Sequence, residues 1–154
     1  MNRYVIALTA AAFAGPALAQ DAGDAAAGEK GFKKCKSCHM IVADDGTVIV
    51  KGGKTGPNLY GVAGRTAGTV EGFKYGNSIV QAGEAGLVWD DEQFLAYVLD
   101  PKTFLRTYLD DSSAKSKMSF RLKKGGEDIY AYLVSVGPEV ATDEPADEEA
   151  TESN

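Results

Sequence analysis

The sequence predicts an all-α domain of three to five helices joined by long loops, with one small β-hairpin near residues 41–50. Three observations predict it. Segments after Asp24, from Asp90 and from about Glu127 carry helix start signals or helical apolar spacing. Strand-like composition around a turn occurs only at 41–50. Between Lys51 and Gly86 the chain is rich in glycine and has little periodicity, a long run of loops for a compact domain.

The elements follow in order. Asp24 is placed to cap a first helix through Ala25-Ala26-Ala27, with Phe32 as its main apolar anchor. Ile41 to Val50 reads as a hairpin with Asp45-Gly46 at its turn. Asp90 and Gln93 have capping-box spacing, with aspartate in place of serine or threonine. Phe94, Leu95, Val98 and Leu99 then recur at helical intervals until Pro101 ends the segment. A short further helix starts at Pro101. The last helix spans about Glu127 to Val136, with Ile129, Tyr132, Leu133 and Val136 as its apolar stripe and Gly137-Pro138 as its stop.

The two ends differ from the middle. Residues 1–19 read as a secretory signal peptide: Arg3 is the charged start, Tyr4 to Gly15 the apolar run, and Ala17-Leu18-Ala19 the cleavage signature. The apolar run is shorter than the roughly 20 residues a membrane-spanning helix needs. Cleavage after Ala19 leaves Gln20 as the mature start, in an oxidising compartment that a bacterial periplasm would supply. Residues 139–154 hold seven acids, no base and no large apolar side chain except Val140. Such a segment buries too little surface to offset its ordering entropy, so a disordered acidic tail is expected. The domain proper is 20–138.

This division relocates the charge. The net −6 of the chain sits in the tail, and the body from Gln20 to Pro138 carries 15 Lys+Arg against 15 Asp+Glu. Its bases are clustered. Lys30, Lys33, Lys34 and Lys36 surround the cysteines, and Lys115, Lys117, Arg121, Lys123 and Lys124 surround Met118. If the clusters meet, the molecule has one positive face.

Cys35-Lys36-Ser37-Cys38-His39 is the attachment signature of c-type haem. Two thiols on one helical turn can add to the two vinyl groups of one porphyrin, and the adjacent imidazole can reach the iron. A thioredoxin-like pair would want a βαβ context. A structural zinc site needs about four Cys or His ligands, and the chain has three. A plain disulfide explains neither the histidine nor the long loops, whereas a large rigid cofactor gives those loops a surface to pack on.

His39 is the only histidine, so a second histidine ligand is excluded. Of three methionines, Met1 leaves with the signal peptide and Met40 is adjacent to His39. Met118 remains, in polar and basic surroundings that suit core packing poorly. The alternatives are a lysine ligand or an open position. His/Met ligation raises the haem potential and suits a carrier. A haem enzyme would need distal acid–base groups, and no histidine is left for that role.

Further motifs stand in a specific order: Thr55-Gly56-Pro57-Asn58-Leu59-Tyr60-Gly61, Gly64-Arg65, Gly72-Phe73-Lys74-Tyr75, Trp89, Tyr97 before Asp100-Pro101, and Lys117-Met118. On these residues the stretch Gly23–Val136 resembles the class I c-type cytochromes, most of all the periplasmic cytochromes c-550. The resemblance implies one covalent haem c per chain, tethered by Cys35 and Cys38, with His39 and Met118 as axial iron ligands. It implies that the Pro57 carbonyl takes the free ring N–H of His39, and that Arg65, Tyr75 and Trp89 bond the haem propionates. Tyr97 would donate to the Met118 sulfur, and Ser116 would stand where the family often has threonine. Gly28 and Phe32 would pack on the last helix near Tyr132 or Leu133. The implied function is single-electron shuttling, not enzymatic turnover. Partners would dock on a face bearing Lys33, Lys34, Lys36, Lys54, Lys117, Lys123 and Lys124. They would include a quinol–cytochrome c reductase, a cytochrome oxidase or another terminal reductase, and periplasmic dehydrogenases. A monomer without nucleic-acid partners is expected.

Overall fold

A computed structural model describes residues 23–138. The leader, its cleavage after Ala19 and the acidic tail lie outside the described residues. Five helices, a short 3-10 turn and a two-stranded sheet make up the domain.

Helix α1 (Ala25–Gly31) begins where Asp24 accepts hydrogen bonds from the amides of Ala26 (2.8 Å) and Ala27 (3.2 Å). These satisfy donors that the first turn leaves without a partner. The Asp24 amide in turn donates to Asp128 Oδ1 at 2.9 Å, tying the start of α1 to the last helix, α5 (Gly126–Val136). Gly28 lets these helices cross closely, because a Cβ there would collide with the Asp128 carbonyl and lie 2.8 Å from the Tyr132 Cβ. Phe32 follows, 2% exposed, with its ring 5.9 Å from that of Tyr132. The 3-10 turn Phe32–Lys34 then delivers the chain to Cys35.

Strands β1 (Ile41–Val42) and β2 (Val48–Val50) pair antiparallel with an irregularity between Ile41 and Val42. Gly46, at φ +87°, takes a turn conformation that costs glycine little. Ile41 is fully buried, while Val48 on the partner strand is 58% exposed.

Helix α2 (Asn77–Glu84) lies inside the stretch expected to be loops, and corrects that reading. Its buried face is Ser78, Ile79, Ala82 and Gly83. Only one large apolar side chain marks the helical period, so hydropathy alone does not show it. The small residues allow close approach: a Cβ on Gly83 would run into the Ala67 carbonyl.

Helix α3 (Asp91–Leu99) starts with Asp90 accepting from the Gln93 amide at 2.7 Å, while the Asp90 amide bonds Val88 O (3.0 Å) instead of closing a full capping box. Pro101 disfavours helical backbone at Asp100, which ends α3. Asp100 then caps helix α4 (Pro101–Tyr108) by accepting from the Thr103 amide at 3.1 Å, and pairs with Arg121 at 3.0 Å. The Thr103 bond chiefly holds the Asp100 carboxyl below its ordinary value of 3.8, with Arg121 adding to it and partial desolvation opposing. A depressed carboxyl stabilises the fold above the unfolded value and loses that contribution as pH falls through the folded one. Asp100→Asn should therefore have a urea midpoint that falls less than the parent's between about pH 5 and about pH 3.

Candidate functional site

The backbone from Cys35 to His39 makes a tight turn. The amides of Cys38 and His39 both bond the Cys35 carbonyl, at 3.0 and 2.9 Å. The turn brings both thiols and the imidazole onto one wall of a cavity of about 280 Å³. Glycines hold the following loop against it. Gly53 and Gly56 donate to the carbonyls of Lys36 (2.9 Å) and Cys38 (2.8 Å). Gly56 lies flat on the His39 ring, where a Cβ would come within 2.7 Å of Nε2.

The loop also places the Pro57 carbonyl 2.9 Å from His39 Nδ1. A carbonyl only accepts, so Nδ1 carries the proton and Nε2 keeps a free lone pair. Burial holds the imidazole below its ordinary value of 6.5, an effect the Pro57 bond partly offsets, which favours the neutral ring. Burial pushes the Cys35 thiol up to about 11 against the lowering effect of Lys34, whereas the exposed Cys38 thiol is lowered by hydrogen bonds with Thr55 and Ser37.

Met118 lines the same cavity from the loop between α4 and α5. Two hydroxyls fix that loop. The Lys115 amide donates to Ser78 Oγ at 3.0 Å, and the Met118 amide to Ser116 Oγ at 3.1 Å. The Tyr97 hydroxyl, read from the sequence as a donor to the Met118 sulfur, has Ser116 Oγ as its hydrogen-bond partner at 3.4 Å. With its oxygen accepting from Met118, the serine can donate to Tyr97 and leave the tyrosine proton for another acceptor. Ser78 was not foreseen, because the helix that buries it was not.

Trp89 is 8% exposed and packs on Tyr97 with ring centroids 4.9 Å apart. Its carbonyl accepts from Gly64 N (2.9 Å) and from the Tyr130 hydroxyl (3.1 Å). The indole N–H takes no protein acceptor, yet no buried side-chain polar atom among the described residues is unpartnered. The N–H therefore keeps some solvent access, and Trp89 is among the residues lining the cavity. Arg65 and Tyr75 line it too. Arg65 donates to Tyr60 O (2.8 Å) and Asn58 O (3.2 Å), two of its five N–H groups, and keeps the others. Asn58 clamps the hairpin by accepting from the N–H (3.0 Å) and donating to the C=O (2.7 Å) of Val42.

The sequence places seven lysines on one expected face. All seven are exposed. Lys34 and Lys117 stand at the cavity together with Lys115, and Lys117 donates to Lys74 O at 2.7 Å. Lys123 and Lys124 instead border a separate groove with Leu95, Leu99 and Leu122.

The residues present fit one haem. Two thiols lie within one turn, an imidazole has its outer nitrogen free, a thioether shares the cavity, and the walls between are apolar: Leu59, Val62, Ile79, Phe94, Val98 and Ile129. Among the described residues no helix is long and apolar enough to cross a membrane.

No protein-family model matches the chain. It is 61% identical over 137 residues to cytochrome c-551 of Roseobacter denitrificans, covering 88% of this chain and 96% of that protein. It is 51% identical over 149 residues to cytochrome c-550 of Paracoccus denitrificans, covering 96% and 95%. The solved structure of Rhodobacter capsulatus cytochrome c2 superposes with a TM-score of 0.72 at 62% identity, covering 74% of this chain and 98% of that one. Identity at this level across nearly whole relatives, on a fold that builds a cavity around Cys35-x-x-Cys38-His39, shows that the chain belongs to the class I c-type cytochromes, electron-transfer proteins with one covalently attached haem c.

Proposed function

We propose that Cys35 and Cys38 form the thioether tethers, that His39 Nε2 and Met118 Sδ are the axial iron ligands, and that the protein is exported to the periplasm with cleavage after Ala19. The observation that carries the ligand assignment is the Pro57–His39 bond, which fixes the tautomer presenting Nε2 to the cavity and increases its basicity. When bound, haem supplies a one-electron ferrous/ferric couple. The chain's residues keep that change cheap. Gly56 and Pro57 hold the imidazole from two sides. Ser116 and Ser78 pin the methionine loop. The apolar walls exclude water. The Trp89 indole, the Tyr75 hydroxyl and the spare Arg65 donors meet the propionates, which would be costly to bury unpaired.

Redox partners dock on the lysine-bearing rim around the cavity mouth, with the acidic faces of a quinol–cytochrome c reductase, a terminal oxidase or reductase, or a periplasmic dehydrogenase as the complementary surfaces. Screening follows the Debye length, roughly 30 Å at 0.01 M salt and 10 Å at 0.1 M. Second-order rates with an acidic partner should fall steeply across that range in stopped-flow measurements. Rates indifferent to salt would defeat the docking reading.

Covalent attachment is tested by acid–acetone extraction followed by intact-mass measurement. The protein should keep its colour and one haem mass. The Cys35→Ala, Cys38→Ala double variant should release both.

A further inference from the structure

The loop that carries Met118 is fixed at its two ends. The Ala114 amide donates to Asp111 O at 3.1 Å and its carbonyl accepts from Arg106 Nε at 3.3 Å. The Leu122 amide donates to Val98 O at 2.7 Å. Ala114 and Leu122 are both buried. Between them, among the described residues, no backbone–backbone hydrogen bond involves residues 115–121. Side chains hold this stretch. Ser116 bonds within the loop and meets the Tyr97 hydroxyl. The remaining bonds run to the start of α2. Lys117 Nζ donates to the Lys74 carbonyl at 2.7 Å, with its stem alongside Gly76, and the Lys115 amide donates to Ser78 Oγ at 3.0 Å.

Ser78 differs from the other members of this set. At 9% exposed, it is the only buried polar or charged residue among the described residues. Burying a hydroxyl is unfavourable unless it is bonded, and the bond that Ser78 makes is the one to Lys115. Serine is also a poorer helix former than alanine, because its hydroxyl competes for backbone groups. Packing and helix propensity would both favour alanine here. The hydroxyl is accounted for by what it holds. Its helix is a rigid support: Ala82 is fully buried, a Cβ on Gly83 would run into the Ala67 carbonyl, and one on Gly68 would lie 3.0 Å from the Val80 Cα.

We propose that Ser78 is a positioning residue for the sixth iron ligand, its bond to the Lys115 amide latching the 115–121 loop onto α2 and so holding Met118 at the cavity. The proposal rests on the reading of Met118 as that ligand and adds what keeps it in place. With no backbone ladder of its own, the loop moves as a unit between Ala114 and Leu122. Withdrawal of Met118 breaks the Lys115–Ser78 bond, so the hydroxyl raises the cost of giving up the position to an external ligand.

Imidazole binding to the ferric, haem-loaded, full-length protein, followed by optical titration, tests it. Ser78→Ala should raise the imidazole affinity roughly 3- to 10-fold, which is what the net loss of one neutral hydrogen bond amounts to. Ser78→Val and Ser78→Thr share a shape and differ in the hydroxyl, so the valine variant should bind imidazole more tightly than the threonine variant. Ser135→Ala removes a hydroxyl that bonds Tyr132 O within α5 and should match the parent. A role in stability alone would lower the urea midpoint of Ser78→Ala and leave imidazole binding at the parent value. That result, or equal affinities in the valine and threonine variants, would overturn the proposal. Met118→Leu separates it from the reading beneath it: a parent that binds imidazole no more weakly than Met118→Leu contradicts methionine ligation, whereas the Ser78 variants bear on the latch alone.

Discussion

Replacing Phe32 with alanine should cost about 3–5 kcal/mol of stability, the usual range for emptying a buried aromatic site. Phe32 is 2% exposed and packs on Tyr132 across the α1–α5 crossing. The site cannot collapse to fill the void. Gly28, one turn earlier, already sets the two backbones at contact distance from the Asp128 carbonyl. The Asp24–Asp128 bond fixes the helix starts relative to each other. Urea unfolding of the haem-loaded protein should show the loss as a lower midpoint with an unchanged slope. The damage should extend to the site, because Cys35 follows Phe32 by one 3-10 turn and its amide bonds the Phe32 carbonyl at 2.8 Å. A loss below about 1 kcal/mol would mean that the crossing is looser than these contacts require.

Replacing Met118 with leucine should lower the reduction potential by a few tenths of a volt, against the roughly 0.8 V that axial ligands span in haem proteins. Leucine keeps the volume and removes the sulfur. On the proposed ligation, loss of the thioether withdraws the ligand that favours the ferrous state. The Met118 amide bond to Ser116 and the Lys115 amide bond to Ser78 involve backbone donors, so the loop should keep its path. Spectroelectrochemical titration reads the potential. The ferrous variant should also bind carbon monoxide rapidly, which the parent should not. A variant with the parent potential would place the sixth ligand elsewhere.

The fold was legible where side chains announced their environment. Asp24, Asp90 and Pro101 mark helix ends by local hydrogen bonding and fixed φ, and each does so in the structure. Ile129, Tyr132 and Leu133 show the buried stripe of α5. Helix α2 was hidden because its buried face is mostly small residues, whose value lies in close backbone approach and not in hydropathy. The residues that line the cavity were legible through chemistry and inventory: one CxxCH motif, one histidine and one methionine, Met118, on the same cavity. Their supports were less so. Ser78 holds the methionine loop across 37 residues of sequence, and Asn58 holds the hairpin across 16, through bonds that no local pattern encodes. The lysine face was legible only as composition; in three dimensions Lys34 and Lys117 stand at the cavity, and Lys123 and Lys124 at the groove beside α3.

The central claim is an iron held between His39 Nε2 and Met118 Sδ. The proton NMR spectrum of the reduced protein, with the methionine methyl groups isotopically labelled, tests it most directly. A methyl group bound to sulfur on the axis of a haem lies in the ring-current field and is shifted far upfield of every ordinary methyl. The account predicts one such resonance, belonging to Met118 and lost in Met118→Leu. A spectrum with every methionine methyl in its ordinary place, or with Met40 as the shifted one, would contradict it.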